Sequence, residues 1–338
     1  MAVLLATHEA YLEHDPGGGH PEHPERLRAV RAGVDAAGLG DALVPFTPRA
    51  ATREELERVH PPAFLDELER FCAGTGVRAI DPDTRVSDGS WSAALLAAGA
   101  GLDAAERLRL GEGDAAFCAV RPPGHHATAT RSMGFCLLNN VAVTAAGLAA
   151  AGERVVIVDY DAHHGNGTQA IFWLDPAVLY VSLHEYGRLA YPGTGAVDDV
   201  GHGEGVGTTV NLPFPSGTAG DAYRAAFDRV ITPIVERFEP EWMLVSAGFD
   251  AHHEDPLTDL GLTSGDYCEL TARCAGFVRA GRTIAFLEGG YDLVALGTSV
   301  AAAVAALGGD TLLPERPSSG TGRGLDVVEA ALSVHGLA

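Results

Sequence analysis

Short apolar runs alternate with longer alanine- and leucine-rich stretches of helical period from Ala2 to beyond Leu293. Runs too short for helices, apolar without a break and bounded by polar residues or glycine, suit strands buried on both faces; the longer stretches suit the helices that cover them. The pattern predicts an α/β chain with a mainly parallel central β-sheet and helices on both faces. Strands are expected over residues 3–7, 115–120, 155–158, 178–183, 208–212, 242–246 and 283–287. A helix over 221–238 places Tyr223, Phe227, Val230, Ile231, Ile234, Val235 and Phe238 on one face, with Pro233 expected to kink it. Ser264 reads as the N-cap of a following helix, and residues 316–324, rich in Pro, Ser and Gly, as a surface loop before a last helix. With no repeat and no linker, residues 1–338 are expected to form one domain.

Charge narrows the function classes. The 23 basic residues face 45 acidic ones, for a formal net charge of −22, which argues against a nucleic-acid-binding surface. Such a shell steers cationic ligands as readily as it keeps a protein soluble. Every basic residue is arginine, so no lysine can act as a base, form a Schiff base or become acetylated. The five cysteines are unclustered, as in a reduced protein. No secretory leader or membrane-spanning run stands out, so the expected location is the cytoplasm, with no membrane partner.

Several predicted strands run straight into polar clusters: His125 and His126, Asp159 through His164, His184, Asp250, and Tyr291. Open parallel sheets bind ligands outside the carboxyl ends of their strands, so these positions are expected to converge on one site. In VDYDAHHGNG, an extending strand would turn Asp159, Asp161 and His163 to one side and His164 to the other. Asp161 and His163, joined by Asp250, make a three-ligand site of one nitrogen and two carboxylates with positions left open, the form of a catalytic metal centre. Zinc suits that donor set; ferrous iron and cobalt fit it too.

The tandem His125 and His126 in RPPGHHA titrate near working pH and are suited to carry protons beside such a metal, with Asp159 and Asn166 orienting them. Tyr291 in EGGY follows two glycines that permit a tight turn, so its hydroxyl is expected to meet a substrate carbonyl from the side opposite the histidines. Together these groups point to attack of water on an amide.

These motifs resemble the arginase/deacetylase superfamily, and within it the class II histone deacetylases and the bacterial histone deacetylase-like amidohydrolases. The resemblance runs through HPEHPER (20–26), RPPGHHA, MGFCLLNN (133–140), DYDAHHGNGTQ (159–169), YPGTG (191–195), SAGFDAHHEDPL (246–257) and EGGY (288–291). It implies a zinc ion on Asp161, His163 and Asp250, a general base and acid pair in His125 and His126, and a carbonyl polarised by Tyr291. It further implies an apolar tunnel between Gly134 and Phe135 on one side and Tyr191 on the other. A structural potassium ion is implied beneath the zinc, near Asp159, Asp161, His163, Ser182 and Leu183. Asn166 stands where class I relatives carry aspartate, which is expected to make His126 more acidic. Tyr191 stands where many relatives carry phenylalanine, adding a hydroxyl to the tunnel wall.

A binuclear manganese enzyme of the arginase type would need carboxylates where this chain has Gly165 and His252. A binding or scaffold protein would be expected to lack the tyrosine or a histidine, and both are present. The implied partner is an acetylated amine: an acetyl-lysine peptide, with an acetylpolyamine or a small acetylated amine as the alternative. Leu257, where polyamine-specific relatives can place a glutamate, leans toward the peptide; the negative charge leans toward the polyamine. Loops at 14–23 and 81–90 are expected to set the choice. Oligomeric state is not legible.

Overall fold

The protein, seen in a computed structural model, is described over residues 1–188 and 190–337. In chain order its strands are β1 (Val3–Ala6), β2 (Leu43–Phe46), β3 (Arg78–Ala79), β4 (Arg85–Val86), β5 (Ala115–Cys118), β6 (Val155–Asp159), β7 (Val178–Glu185), β8 (Thr209–Phe214), β9 (Trp242–Ala247) and β10 (Thr283–Leu287). Eight of them form one parallel sheet in the order β2-β1-β5-β10-β9-β6-β7-β8, and β3 and β4 make a small antiparallel hairpin beside it. The helices are α1 (Glu25–Ala36), α2 (Arg53–Glu57), α3 (Pro62–Cys72), α4 (Ser90–Arg109), α5 (Asn140–Ala150), α6 (Asn166–Phe172), α7 (Gly220–Ala226), α8 (Thr232–Phe238), α9 (Ser264–Ala275), α10 (Leu293–Leu307) and α11 (Leu325–Val334).

Layers α1–α10–α9 and α4–α5 cover the sheet, and every residue of β5, β6, β9 and β10 is buried. Burial on both faces is why these strands read as unbroken apolar runs instead of alternating ones. Each fully buried Val, Leu, Ile or Phe there contributes roughly 1.5–3 kcal/mol. The register aligns the carboxyl ends: Asp159 sits level with Ser182 and Ser246, and Leu287 with Ala247. The segments that follow β5, β6, β9 and β10 therefore leave the sheet at one edge.

All seven expected strands are present, with ends shifted by two residues or fewer. The eighth, β2, escapes the pattern because it is an edge strand whose Val44 is exposed and whose Pro45 donates no ladder hydrogen bond. The expected helix over 221–238 is α7 and α8 joined by a π-turn at Phe227–Ile231. The wide turn precedes Pro233, whose missing N–H is harmless in the first turn of α8. Thr263, not Ser264, caps α9: its hydroxyl and the Asp266 carboxylate form a capping box. Ser264 instead directs its hydroxyl to Glu315 at 2.9 Å.

Candidate active site

Four loops meet at this edge. After β5 the chain turns through Arg121 and two prolines to His125 and His126, whose ring centroids lie 4.0 Å apart with the planes tilted by 42°. Each ring is oriented from behind: His125 Nδ1 lies 3.0 Å from Asp159 Oδ2, and His126 Nδ1 lies 2.9 Å from Asn166 Oδ1 at the start of α6. Both partners are acceptors, so both Nδ1 atoms donate, and in each neutral ring Nε2 is the free lone pair.

β6 stops at Asp159, and Asp161 and His163 do not continue it as the alternating strand expected from sequence. A run of turns carries them, in which each carboxylate receives the N–H two residues on: Asp161 N donates to Asp159 Oδ1 (3.2 Å) and His163 N to Asp161 Oδ1 (2.8 Å). Asp250, from the loop after β9, completes the group. His163 Nδ1 lies 3.2 Å from Asp161 Oδ1 and 3.0 Å from Asp250 Oδ2, and the three donor atoms fall within 4.8 Å of one another.

That donor set fits a divalent cation on its own chemistry: an imidazole nitrogen and two buried carboxylates converge, with no arginine among them to balance the charge. The turn after β10 leaves room for the group. A Cβ on Gly289 would stand 2.0 Å from Asp250 Oδ2 and 2.6 Å from Asp161 Oδ2, and Gly289 N donates to Asp161 Oδ2 at 2.7 Å. His164 faces away, bonded to Thr194 (2.7 Å) and Gln169 (2.9 Å). His184, expected among the convergent residues, instead bonds Ser182 Oγ and Gly195 O and does not line the site. A second trio, His252, His253 and Glu315, lies apart. There His252 Nδ1 accepts from Glu254 N, so Nε2 carries the proton that is donated to Glu315 Oε2 at 2.9 Å, a tether already satisfied without an ion.

A cavity of about 240 Å³ leads to the Asp161–His163–Asp250 trio, lined by His125, His126, His163, Gly134, Phe135, Tyr191, Leu257 and Tyr291, with Pro123, Asp83 and Gly289 completing it. Phe135 packs edge-on to Tyr291 at 5.8 Å, and Tyr191 edge-on to His126 at 5.0 Å. Gly134 and Phe135 both have positive φ, 56° and 68°. A Cβ at Gly134 would meet His126 Cδ2 at 2.4 Å, and for Phe135 the left-handed backbone is costly. The tight turn is held by the Met133–Cys136 backbone pair and by Phe135 N donating to Thr84 Oγ1 at 3.2 Å.

The electrostatics split the two histidines. Burial lowers the His125 pKa, but the carboxylates of Asp161 and Asp159 outweigh it and hold the imidazole up at about 10. Burial keeps His126 well below the usual value, helped by the positive charge of His125 and His163 and with no carboxylate behind it. Burial raises the Tyr291 phenol well above its ordinary range, so it stays a proton donor. Its ring lies under the buried Arg26 guanidinium, 5.0 Å away.

Residues not singled out from sequence also take part. Asp255 accepts Tyr291 N (2.7 Å) and Leu257 N (3.0 Å), and burial with the nearby Asp250 charge pushes its carboxyl up to about 7. Glu288 is fully buried behind the histidine loop, and Arg26 donates to Gly290 O at 2.7 Å. Asp83 reaches the cavity wall from the hairpin turn. Asp255, Glu288 and Arg26 are marked only by their place inside SAGFDAHHEDPL, EGGY and HPEHPER, and Asp83 only by the loop at 81–90; no periodicity or spacing distinguishes them from ordinary surface acids and bases.

The histone deacetylase domain model matches residues 20–307. The chain belongs to the histone deacetylase family. It is similar to a probable deacetylase of Archaeoglobus fulgidus, 40% identical over 299 residues that cover 87% of this chain and 82% of that protein. Similarity to histone deacetylase 15 of Arabidopsis thaliana is 41% over 306 residues, 89% of this chain and 55% of that longer protein. The histone deacetylase-like amidohydrolase of Pseudomonas aeruginosa is 36% identical over 287 residues, 83% of this chain and 75% of that one. The crystal structure of the HDA15 HD domain superimposes with a TM-score of 0.91 at 38% identity, covering 99% of this chain and 94% of that one. The sheet and its helices are thus the arginase/deacetylase fold of this family.

Proposed function

We propose that residues 1–338 form one catalytic domain, a zinc-dependent deacetylase that hydrolyses the N-acetyl amide of acetyl-lysine-like substrates to acetate and free amine. One observation carries the reading: a nitrogen-and-carboxylate trio, a proton-carrying histidine pair and a phenol surround the inner end of a single narrow cavity. The complete set favours turnover over a binding-only role.

Asp161, His163 and Asp250 would hold the zinc, which when bound would supply Lewis acidity to the attacking water and the acyl carbonyl. Gly134, Phe135 and Tyr191 grip the apolar stem of the amine. His126, neutral and with Nε2 free, takes the proton of the attacking water and returns it to the departing nitrogen. His125, held by Asp159, favours in its protonated form the negative charge that builds on the substrate. The two neighbouring rings, whose pKa values are driven apart, thus take different roles: His126 carries the proton and His125 the positive charge. Tyr291 donates to the carbonyl oxygen as it becomes an oxyanion. A potassium ion near Asp159, Asp161, His163, Ser182 and Leu183 would stiffen the turn beneath, and the cytoplasm is the proposed location.

A second substrate class is favoured by Asp83, a carboxylate in the cavity wall with Asp81 beside it: an acetylpolyamine, whose remaining ammonium groups would meet these acids. Leu257, 42% exposed at the rim, offers no such charge. Acetate release from an acetyl-lysine peptide and from N-acetylated polyamines, with a chelator-treated control, tests both. Tyr291→Phe is expected to keep zinc and lose about 10²–10³-fold in kcat; full activity in that variant would remove its assigned role.

A further inference from the structure

The four residues that follow β10 each reach a different part of the site. Glu288 Oε2 accepts Gly124 N at 2.7 Å and His125 N at 3.2 Å, from the histidine loop. Gly289 N donates to the metal-trio carboxylate Asp161. Gly290 O accepts Arg26 Nε from α1, and Tyr291 N donates to Asp255 in the rim loop. Of these links only the Glu288 side chain joins the tyrosine-bearing turn to the histidine-bearing loop. The carboxylate is fully buried, and Oε1 has no hydrogen-bond partner among the described residues.

A buried carboxylate with one oxygen unpaired is an expensive group to keep for packing alone, and an apolar side chain of similar size would remove that cost only by leaving the Gly124 and His125 N–H groups without their acceptor. The carboxylate's return is geometric. The histidines and Tyr291 must face one carbonyl from opposite sides, yet they belong to loops after different strands, β5 and β10, and prolines and glycines leave both loops short of regular backbone hydrogen bonds. Glu288 supplies acceptors to two consecutive N–H groups immediately before and at His125, and its own backbone begins the turn that ends in Tyr291.

We infer that Glu288 is a positioning residue for the hydrolytic reaction: its carboxylate sets the distance between the His125–His126 loop and the Tyr291 turn. The inference rests on the proposed deacetylase reading, and acts through His125 and Tyr291 without touching substrate.

The test compares Glu288→Ala and Glu288→Gln in the zinc-loaded full chain. A glutamine keeps one oxygen able to accept both N–H groups; alanine keeps none. In Glu288→Ala, kcat is expected to fall about 100-fold, the loss that an ångström of misplacement brings, with KM within about threefold and one zinc still bound per chain. Glu288→Gln is expected to recover kcat to within about fivefold of the parent. Hydrogen exchange at the Gly124 and His125 amides should accelerate in the alanine variant and stay protected in the glutamine one. Unchanged kcat in Glu288→Ala, or a glutamine variant no better than alanine, would overturn the inference. A parent chain that releases no acetate from any acylated amine would instead overturn the deacetylase reading. The exchange rates would then still decide the clamp: unchanged protection in Glu288→Ala would refute it.

Discussion

His163 stands between two carboxylates, and that sets how the site takes up a cation. Burial alone would lower its pKa, but the charges of Asp250 and Asp161 raise it well above the ordinary imidazole value. In chelator-stripped protein the ring is therefore protonated at neutral pH. A histidine that ligates must be neutral, so uptake of the proposed zinc is expected to expel that proton, with an apparent affinity that rises with pH up to the raised pKa, by about tenfold per pH unit for one proton. Titration calorimetry in buffers of different ionisation enthalpy should register the release of about one proton per zinc. No release, with affinity flat across pH, would mean that His163 is not a ligand. The trio itself is legible in the sequence, because DxH and a later aspartate after a strand form a recognisable donor set. The turn geometry that brings it together is not, since Asp161 and His163 lie in Asx-type turns and not on a strand. Phe135 is unreadable for a related reason: nothing in MGFC signals that an aromatic residue adopts a left-handed backbone.

At the scale of elements, the interior strands were readable because burial on both faces writes an unbroken apolar run, whereas β2, exposed and carrying Pro45, writes none. The loops after the strands are fixed by long-range polar contacts that local pattern cannot carry. The clearest is Arg121, fully buried at the end of the β5 segment. Its guanidinium pairs with the buried Glu22 through Nε and through Nη2 (2.8 Å to Oε2), and donates to Tyr11 O (2.8 Å) and His14 O (3.0 Å). The amino-terminal segment is thereby bound to the loop that presents His125. Burial would raise the Glu22 pKa, but the Arg121 charge and His14 hold it well below the usual range, so the carboxylate is ionised at neutral pH. Arg121→Met is expected to cost about 3–5 kcal/mol, because it leaves that charge in the interior with only the longer contact to Arg26 (3.4 Å) and the histidine. Thermal unfolding should show a Tm lower by roughly 5 °C, and Glu22→Gln added to it should recover part of the loss. A Tm within a degree or two of the parent would show that the pair does not hold the segment.

For the whole molecule, the distribution of charge decides more than its sum. A chain with 45 acids, 23 arginines and no lysine carries a negative field, and the cavities at the rim repeat that sign. Asp83 lines the entrance itself, Glu185 and Asp259 line the adjoining recess beyond Tyr191 and Leu257, and Asp15 and Glu25 line the recess on the side of Tyr291. Arg28 pairs with Glu25 and the two cancel, which leaves Asp15 as the negative charge of that recess and Arg188 as the countercharge in the recess beyond Tyr191. Such a rim raises the encounter rate of cations in proportion to their charge and does little for a neutral ligand. The expected consequence is a split in salt dependence. Between about 0.05 and 0.5 M ionic strength the screening length falls from above 10 Å to a few ångströms, so kcat/KM for a monoacetylated triamine should drop several-fold, while kcat/KM for an uncharged acetylated amine of the same stem stays level. Steering acts before the chemistry, so the loss should appear in kcat/KM and leave kcat unchanged. Equal salt responses for the two substrates would show that the field does not reach the mouth of the cavity. Selectivity would then rest on the walls alone, with Leu257 and Tyr191 favouring the lysine-like stem over the polyamine.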